Sequence, residues 1–246
     1  MKPDALLRFR LISCQLDELR KCKCPTKAKV EKILDDLPEE LDGMYDRILG
    51  NIHQIDREDV LKILQWIMFS LRPMTVRELG AILAFDSGEA EDLPEDESVM
   101  AMCSGLVVIH TRSPKSSAEV HLAHKSVQEY LVRKYGSQHF DVNAAHLSIA
   151  KTCLAYLLQF NELESMDSDT LLRRPLAKFA ARYWTAHLVV GGPPLDYDEW
   201  ADCVHNLNQC FDVWVTLVVG EDMHRNLYAV ARSVKVTCFF HGVAKH

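Results

Sequence analysis

A chain of 246 residues is long enough for one large or two small domains with a sizeable core. With 48% hydrophobic and 26% charged residues it has the balance of a globular protein, and no window of 18 uncharged apolar residues offers a membrane span. The net charge of −7 argues against general nucleic-acid binding. Lys2 and Pro3 are followed by no apolar signal-peptide core before Arg8 and Arg10. The eight cysteines (Cys14, Cys22, Cys24, Cys103, Cys153, Cys203, Cys210, Cys238) are scattered, several within apolar helical patterns, as reduced thiols of a cytoplasmic protein are.

Taken in chain order, residues 5–19 are predicted helical, with Leu6, Phe9, Ile12 or Ser13, Leu16 and Leu19 on one face. Cys22-Lys23-Cys24-Pro25 ends that helix. The pair is half of a metal site at most, because no second Cys/His pair stands nearby at ligand spacing, and no metal is expected. Thr26 is placed to cap a short helix carrying Val30, Ile33 and Leu34, whose Lys27, Lys29 and Lys32 read as a solvated face. A third helix is predicted from Glu39 to about Ile52, with Glu39 and Glu40 in its first turn and Leu41, Tyr45, Ile48 and Leu49 inward. A fourth covers residues 57–71 after Asp56, its buried stripe being Val60, Leu64, Ile67, Met68 and Leu71, with Trp66 set against a neighbouring element; Arg72-Pro73 stops it. Thr75-Val76-Arg77-Glu78 reads as a capping box opening a fifth helix with Val76, Leu79, Ile82 and Leu83.

Residues 86–98 hold seven acidic side chains in thirteen and read as a solvated loop. A short helix at 99–103, a strand at 106–110, a polar turn at 111–117 with Pro114 and a returning strand at 118–123 follow. Three helices and then a hairpin is the order of a winged helix. Beyond Gly136 the pattern is helical: 143–160 with Ala145, Ile149, Cys153, Tyr156 and Leu157, then 175–188 with Leu176, Phe179, Ala180, Tyr183, Trp184 and His187. Those aromatics read as core between antiparallel helices. Gly191-Gly192-Pro193-Pro194 is a break; 200–219 reads as another helix with Val204, Leu207, Phe211, Trp214 and Leu217, and no period is convincing from Glu221 onward.

The stretch that organises the chain runs from Val120 to Leu131. Val120 and Leu122 alternate with Glu119 and His121, the period of a half-buried strand, and from Val127 the apolar positions Val127, Tyr130 and Leu131 take helical spacing. His124 stands at the joint. A histidine there can cap the helix, or reach an anion that also sees the first free N–H groups and the positive end of the helix dipole.

Catalytic motifs are not found. No Gly is followed by Lys, so there is no phosphate-binding P-loop, and neither Gly-x-Ser-x-Gly nor His-Glu-x-x-His occurs. Asp202, Cys203 and His205 are close in sequence but on one helix cannot face a common substrate. The chain is expected to be catalytically silent.

Several blocks nevertheless resemble one family. Leu37-Pro38-Glu39-Glu40-Leu41-Asp42-Gly43-Met44-Tyr45-Asp46-Arg47-Ile48-Leu49 is similar to the "LPxxLDxxYxRIL" segment after the nucleotide-binding domain of fungal NACHT proteins, signal-transduction NTPases of the STAND class related to NOD-like receptors. Phe9-Arg10-Leu11 with Cys14-Gln15-Leu16-Asp17-Glu18-Leu19 resembles their "FRW…CQLDxLR" helix. Ile63-Leu64-Gln65-Trp66 through Arg72-Pro73-Met74-Thr75-Val76-Arg77-Glu78-Leu79 resembles "ILxWLxxxxRPLxxxEL". Cys103-Ser104-Gly105-Leu106-Val107 and His124-Lys125-Ser126-Val127-Gln128-Glu129-Tyr130-Leu131 resemble "CxGLV" and "HxSVxEYL", and Pro175 to His187 resembles "PLxxYAAxYWxxH".

The resemblance implies a mainly α fold in which 1–54 is the C-terminal helical part of a NACHT module, 55–136 a winged-helix domain with a small hairpin, 137–220 a helical spacer of the kind that precedes ankyrin or WD repeats, and 221–246 an unassigned tail. In the family, Walker motifs lie upstream, and the winged-helix histidine at this joint contacts the phosphate of bound ADP and holds the closed, resting form. His124 matches that position, while Lys125 stands where plant relatives carry an acid. The implied partners are an upstream NACHT NTPase domain, in the same or another chain, proteins met through the helical or repeat region, and further copies on activation, with no nucleic acid and no membrane. ADP or ATP would be held only with an NTPase domain joined. Two other functions compete. One is an interaction scaffold without a nucleotide role. The other is a winged-helix DNA-binding protein, whose recognition helix would follow Thr75 but carries only Arg77 as a basic residue before Asp86.

Overall fold

The alternation Glu119-Val120-His121-Leu122 forms the central strand of a three-stranded antiparallel sheet. The computed structural model describes residues 3–88, 93–111, 117–136, 138–162, 168–192 and Leu217. In chain order the elements are α1 (Pro3–Arg20), α2 (Lys27–Asp35), α3 (Leu41–Gly50), a 3-10 turn (Gln54–Asp56), α4 (Arg57–Phe69), β1 (Met74–Thr75), α5 (Val76–Asp86), α6 (Asp96–Met102), β2 (Val107–His110), β3 (Glu119–Leu122), α7 (Lys125–Tyr135), α8 (Val142–Leu158), a 3-10 turn (Gln159–Glu162), α9 (Ser168–Arg173) and α10 (Ala177–Gly191). Among the described residues the architecture is mainly helical with one small sheet. The predicted helix at 200–219, Asp202, Cys203 and His205, and the tail from 221 lie outside the described residues, Leu217 excepted.

The chain divides into two compact units, one of residues 1–68, 73–76 and 95–141, the other of residues 69–72, 77–94 and 142–246. In the first unit the sheet has the order β1-β3-β2, with Met74 opposite Val120 and Val107 opposite Leu122. β1 was not predicted: two residues are too few to show a period of two. Its presence makes the order α4–β1–α5–α6–β2–β3. Val107 and Val120 are buried, whereas Val108, Ile109 and His110 lie exposed on the outer strand.

Several predicted faces are corrected. α3 begins at Leu41, with Glu40 extended as its N-cap, so Glu39 and Glu40 precede the helix and only Asp42 lies in its first turn. Glu40 is extended at φ −113° and ψ 150°, so the helical turn begins only at Leu41. Met44, Tyr45, Ile48 and Leu49 are buried, while Leu41 is half-buried. α4 buries Val60, Leu61, Ile63, Leu64 and Trp66, with Ile67 and Met68 half-buried and Leu71 exposed beyond its end. Burial of consecutive pairs such as Val60-Leu61 and Ile63-Leu64 covers more of the circumference than one stripe, so the single-face reading misplaces it. α2 buries none of its residues, Leu34 included, and Thr26 caps it without a side-chain bond. α1 buries Cys14 and turns Phe9, Ile12 and Leu16 outward.

In the second unit α8 and α10 form the principal helix pair. The predicted core positions Ala145, Ile149, Cys153, Tyr156 and Leu157 are all buried, as are Leu176, Phe179, Ala180, Trp184 and His187; Tyr183 is half-buried. A Cβ on Gly191 would come within 2.8 Å of Leu147 Cγ, so glycine lets the end of α10 close on α8. Glu78 and Arg72 form a doubly hydrogen-bonded pair at 2.5 and 2.9 Å, and the guanidinium lies 4.9 Å from the Phe179 ring centre.

Candidate functional site

His124 is extended (φ −162°, ψ 154°) and is the N-cap of α7. Its Nδ1 accepts the Ser126 backbone N–H at 3.1 Å and lies 2.6 Å from Ser126 Oγ, which is itself 2.7 Å from the buried Tyr45 hydroxyl. An Nδ1 that accepts a backbone N–H carries the lone pair. The serine proton therefore also points at Nδ1, and the Tyr45 hydroxyl donates to Ser126 Oγ. The ring proton is then on Nε2, which has no partner among the described residues. Sequence reasoning left capping and anion contact open; the structure places the cap on one ring nitrogen and leaves the other as an outward donor.

The cap also narrows what the helix end can offer. Val127 N–H returns to His124 O at 3.0 Å and Ser126 N–H is taken by the ring, so two of the first N–H groups are occupied. Lys125 is exposed and pairs with Glu129 at 3.1 Å.

Behind this joint, α7 is braced against α3. Tyr130 Oη donates to Asp46 Oδ1, Lys134 Nζ bonds the same oxygen, and Arg133 bonds Asp42. The Tyr45 and Tyr130 rings meet at 5.2 Å. The hydrogen bond from Lys134, then that from Tyr130, holds Asp46 below the ordinary carboxylate range. Burial, then the Asp46 contact, raises the Tyr130 hydroxyl, and the bond to Asp46 raises Lys134. α1 joins the same body: Arg10 Nη2 donates to Gly105 O at 2.5 Å, and Gln15 Nε2 to Pro38 O at 3.1 Å. Gly105 lies at φ +83°, a left-handed position that suits glycine and turns the chain into β2.

Four of the quoted blocks thus meet in one unit: Arg10 and Gln15 from α1, Asp42 to Arg47 from α3, Gly105, and Ser126 with Tyr130 from α7. Sequence reasoning singled out His124 and missed Ser126, Asp46 and Lys134 as its surroundings. The available signal was Tyr45, an inward tyrosine whose hydroxyl needs a partner once buried. Among the described residues no cluster of three or more His, Cys, Asp or Glu side chains is placed to hold a metal ion, and no helix is long and apolar enough to cross a membrane. Cys103 and Cys153 are buried free thiols, each raised by desolvation, Cys103 to about 12.

The helix order also corrects the expected recognition helix. In a helix-turn-helix the second helix takes that place. Here it is α6, directly before the hairpin, and not α5 after Thr75; the unforeseen β1 sets the frame. α6 carries Asp96 and Glu97 and no Lys or Arg.

Residues 49–143 match the family described as GPI inositol-deacylase, winged helix domain. The chain therefore contains a winged-helix domain. It is similar to the "Azaphilone pigments biosynthesis cluster protein L" of Monascus ruber, 32% identical over 191 residues, which is 71% of this chain and 40% of that protein. The chain spans 40% of the length of this relative. No solved structure matches it at a significant level.

Proposed function

We propose that this chain is a non-catalytic regulatory segment of a NACHT-type signal-transduction NTPase, whose winged helix closes over ADP held by an upstream NTPase domain and so holds the resting state. The observation that carries this reading is the outward Nε2–H of His124, fixed in direction by the Tyr45–Ser126–His124 chain of hydrogen bonds. A donor held rigidly at a helix N-terminus suits a phosphate oxygen. The α3–α7 brace supports the reading further, since it ties the histidine's helix to the segment expected to follow the NTPase domain.

ADP release from the NTPase segment of a related full-length protein, measured with and without this chain, tests the proposal. Wild type is expected to slow release. His124→Ala removes both cap and donor, whereas His124→Asn keeps a good N-cap and loses Nε2. If the Asn variant releases ADP as fast as the Ala variant, the donor matters; if it behaves as wild type, the histidine only caps. The latter outcome would favour an interaction scaffold without a nucleotide role, a reading that the cap itself supports. DNA readout is disfavoured by the acidic α6, which offers nothing for phosphates.

A further inference from the structure

Helix α1 is turned the wrong way for its own unit. Its inward side carries Arg10, Cys14 and Gln15, while Phe9, Ile12 and Leu16 are 66%, 50% and 47% exposed. Single exposed apolar side chains need no explanation. These do, because with the half-buried Leu19 they run at spacings of three, four and three, the a/d seam of a coiled coil. Arg8 and Arg20, both exposed, then occupy the flanking g and e positions, and the other flanking positions within the seam are Ser13 and Gln15.

We propose that α1 is the docking strip for one acidic amphipathic helix of a partner, which lays its apolar seam on Phe9, Ile12, Leu16 and Leu19 and sets carboxylates against Arg8 and Arg20. Charge complementarity selects this occupant. Residues 1–34 hold nine Lys or Arg and four Asp or Glu, net +5 within a chain of net −7. A second copy of the chain would bring no carboxylate to either flank, so self-pairing leaves Arg8 with no partner among the described residues and Arg20 with only Asp17 of its own helix, 2.9 Å away. A membrane surface wants a broad apolar face, whereas this seam is one residue wide, with Ser13 and Asp17 beside it. The inference does not depend on the nucleotide reading.

The test uses the full chain and a labelled 21-residue helical peptide with Leu at a and d and Glu at e and g, beside a control with Lys at e and g. The Glu peptide is expected to bind at least about tenfold more tightly than the Lys peptide, less so as salt rises. Ile12→Asp with Leu16→Asp should weaken binding by about tenfold or more with the circular dichroism unchanged, since both side chains already face water. Arg8→Glu with Arg20→Glu should reverse the preference between the two peptides. Equal binding of both peptides, or none at about 100 µM, overturns the proposal. So does self-association abolished by the double aspartate variant, which would make a second copy the occupant. Binding confined to phosphatidylserine-containing vesicles would make it a membrane surface instead, and equally overturn it.

Discussion

His187 is fully buried, and its Nδ1 lies 2.8 Å from Nδ1 of His146, between the Phe69 and Phe179 rings. Its Nε2 is buried with no partner among the described residues. Desolvation, then the charge of His146, lowers His187 to about 4, and desolvation lowers His146 as well. An unfolded histidine titrates near 6.5. The sign follows from that order. Above about pH 6.5 both states are neutral at His187 and stability is full; below it the unfolded chain takes up a proton that the folded chain refuses, so stability falls until about pH 4. At about 1.4 kcal/mol per unit the full effect is about 3 kcal/mol, of which about 2 is lost between pH 6.5 and 5. Urea unfolding of the full chain at several pH values, followed by tryptophan fluorescence, measures it. His187→Gln keeps a hydrogen-bonding partner for His146 and removes the titration. The stability gap between wild type and variant should therefore narrow by about 2 kcal/mol from pH 7 to pH 5. Parallel pH profiles for the two proteins would refute the assignment of the acid sensitivity to this pair.

Three further outcomes follow from the packing. Tyr45→Phe removes the donor to Ser126 Oγ in a buried network and should cost about 1 kcal/mol in urea unfolding, with Ser126→Ala similar and the double variant less than additive. Arg72→Ala removes the doubly bonded guanidinium from the buried Glu78 carboxylate and should cost about 3 kcal/mol; Arg72→Lys should recover only part, since a single ammonium cannot match two parallel bonds or stack as well on Phe179. Gly191→Ala should cost roughly 1–3 kcal/mol, because the added methyl meets Leu147 and Asn143 backbone atoms at about the same range in which overpacking is felt; thermal unfolding reads this directly, and an unchanged midpoint would mean that α10 frays at its end.

What was legible in the sequence depended on length of pattern. α8 and α10 repeat their apolar positions over four turns, and the strand-to-helix joint at His124 shows a change of period, so both were readable. β1 has two residues and no period to read, yet it sets the order that makes α6 the recognition position. The hidden features are those in which a polar atom answers another far along the chain. Spacing assigns Tyr45 to the core, which is correct for its ring and silent about its hydroxyl; only folding brings Ser126 within 2.7 Å. His187 likewise sits on an aromatic face by spacing, and nothing local announces His146, 41 residues earlier, as its partner.

α1 shows the converse case. Its seam of Phe9, Ile12, Leu16 and Leu19 was visible as one face, and periodicity alone assigns such a face to the core. Periodicity reports that a face is apolar, not what covers it. Here Arg10 and Gln15 are fixed to the carbonyls of Gly105 and Pro38, and these bonds set the helix rotation that sends Phe9, Ile12 and Leu16 to water. Replacing both by alanine would release that constraint. The exposure of Phe9 to a soluble quencher of a fluorinated phenylalanine at that site would then fall if α1 rolls inward, and stay high if the seam's outward setting has another cause.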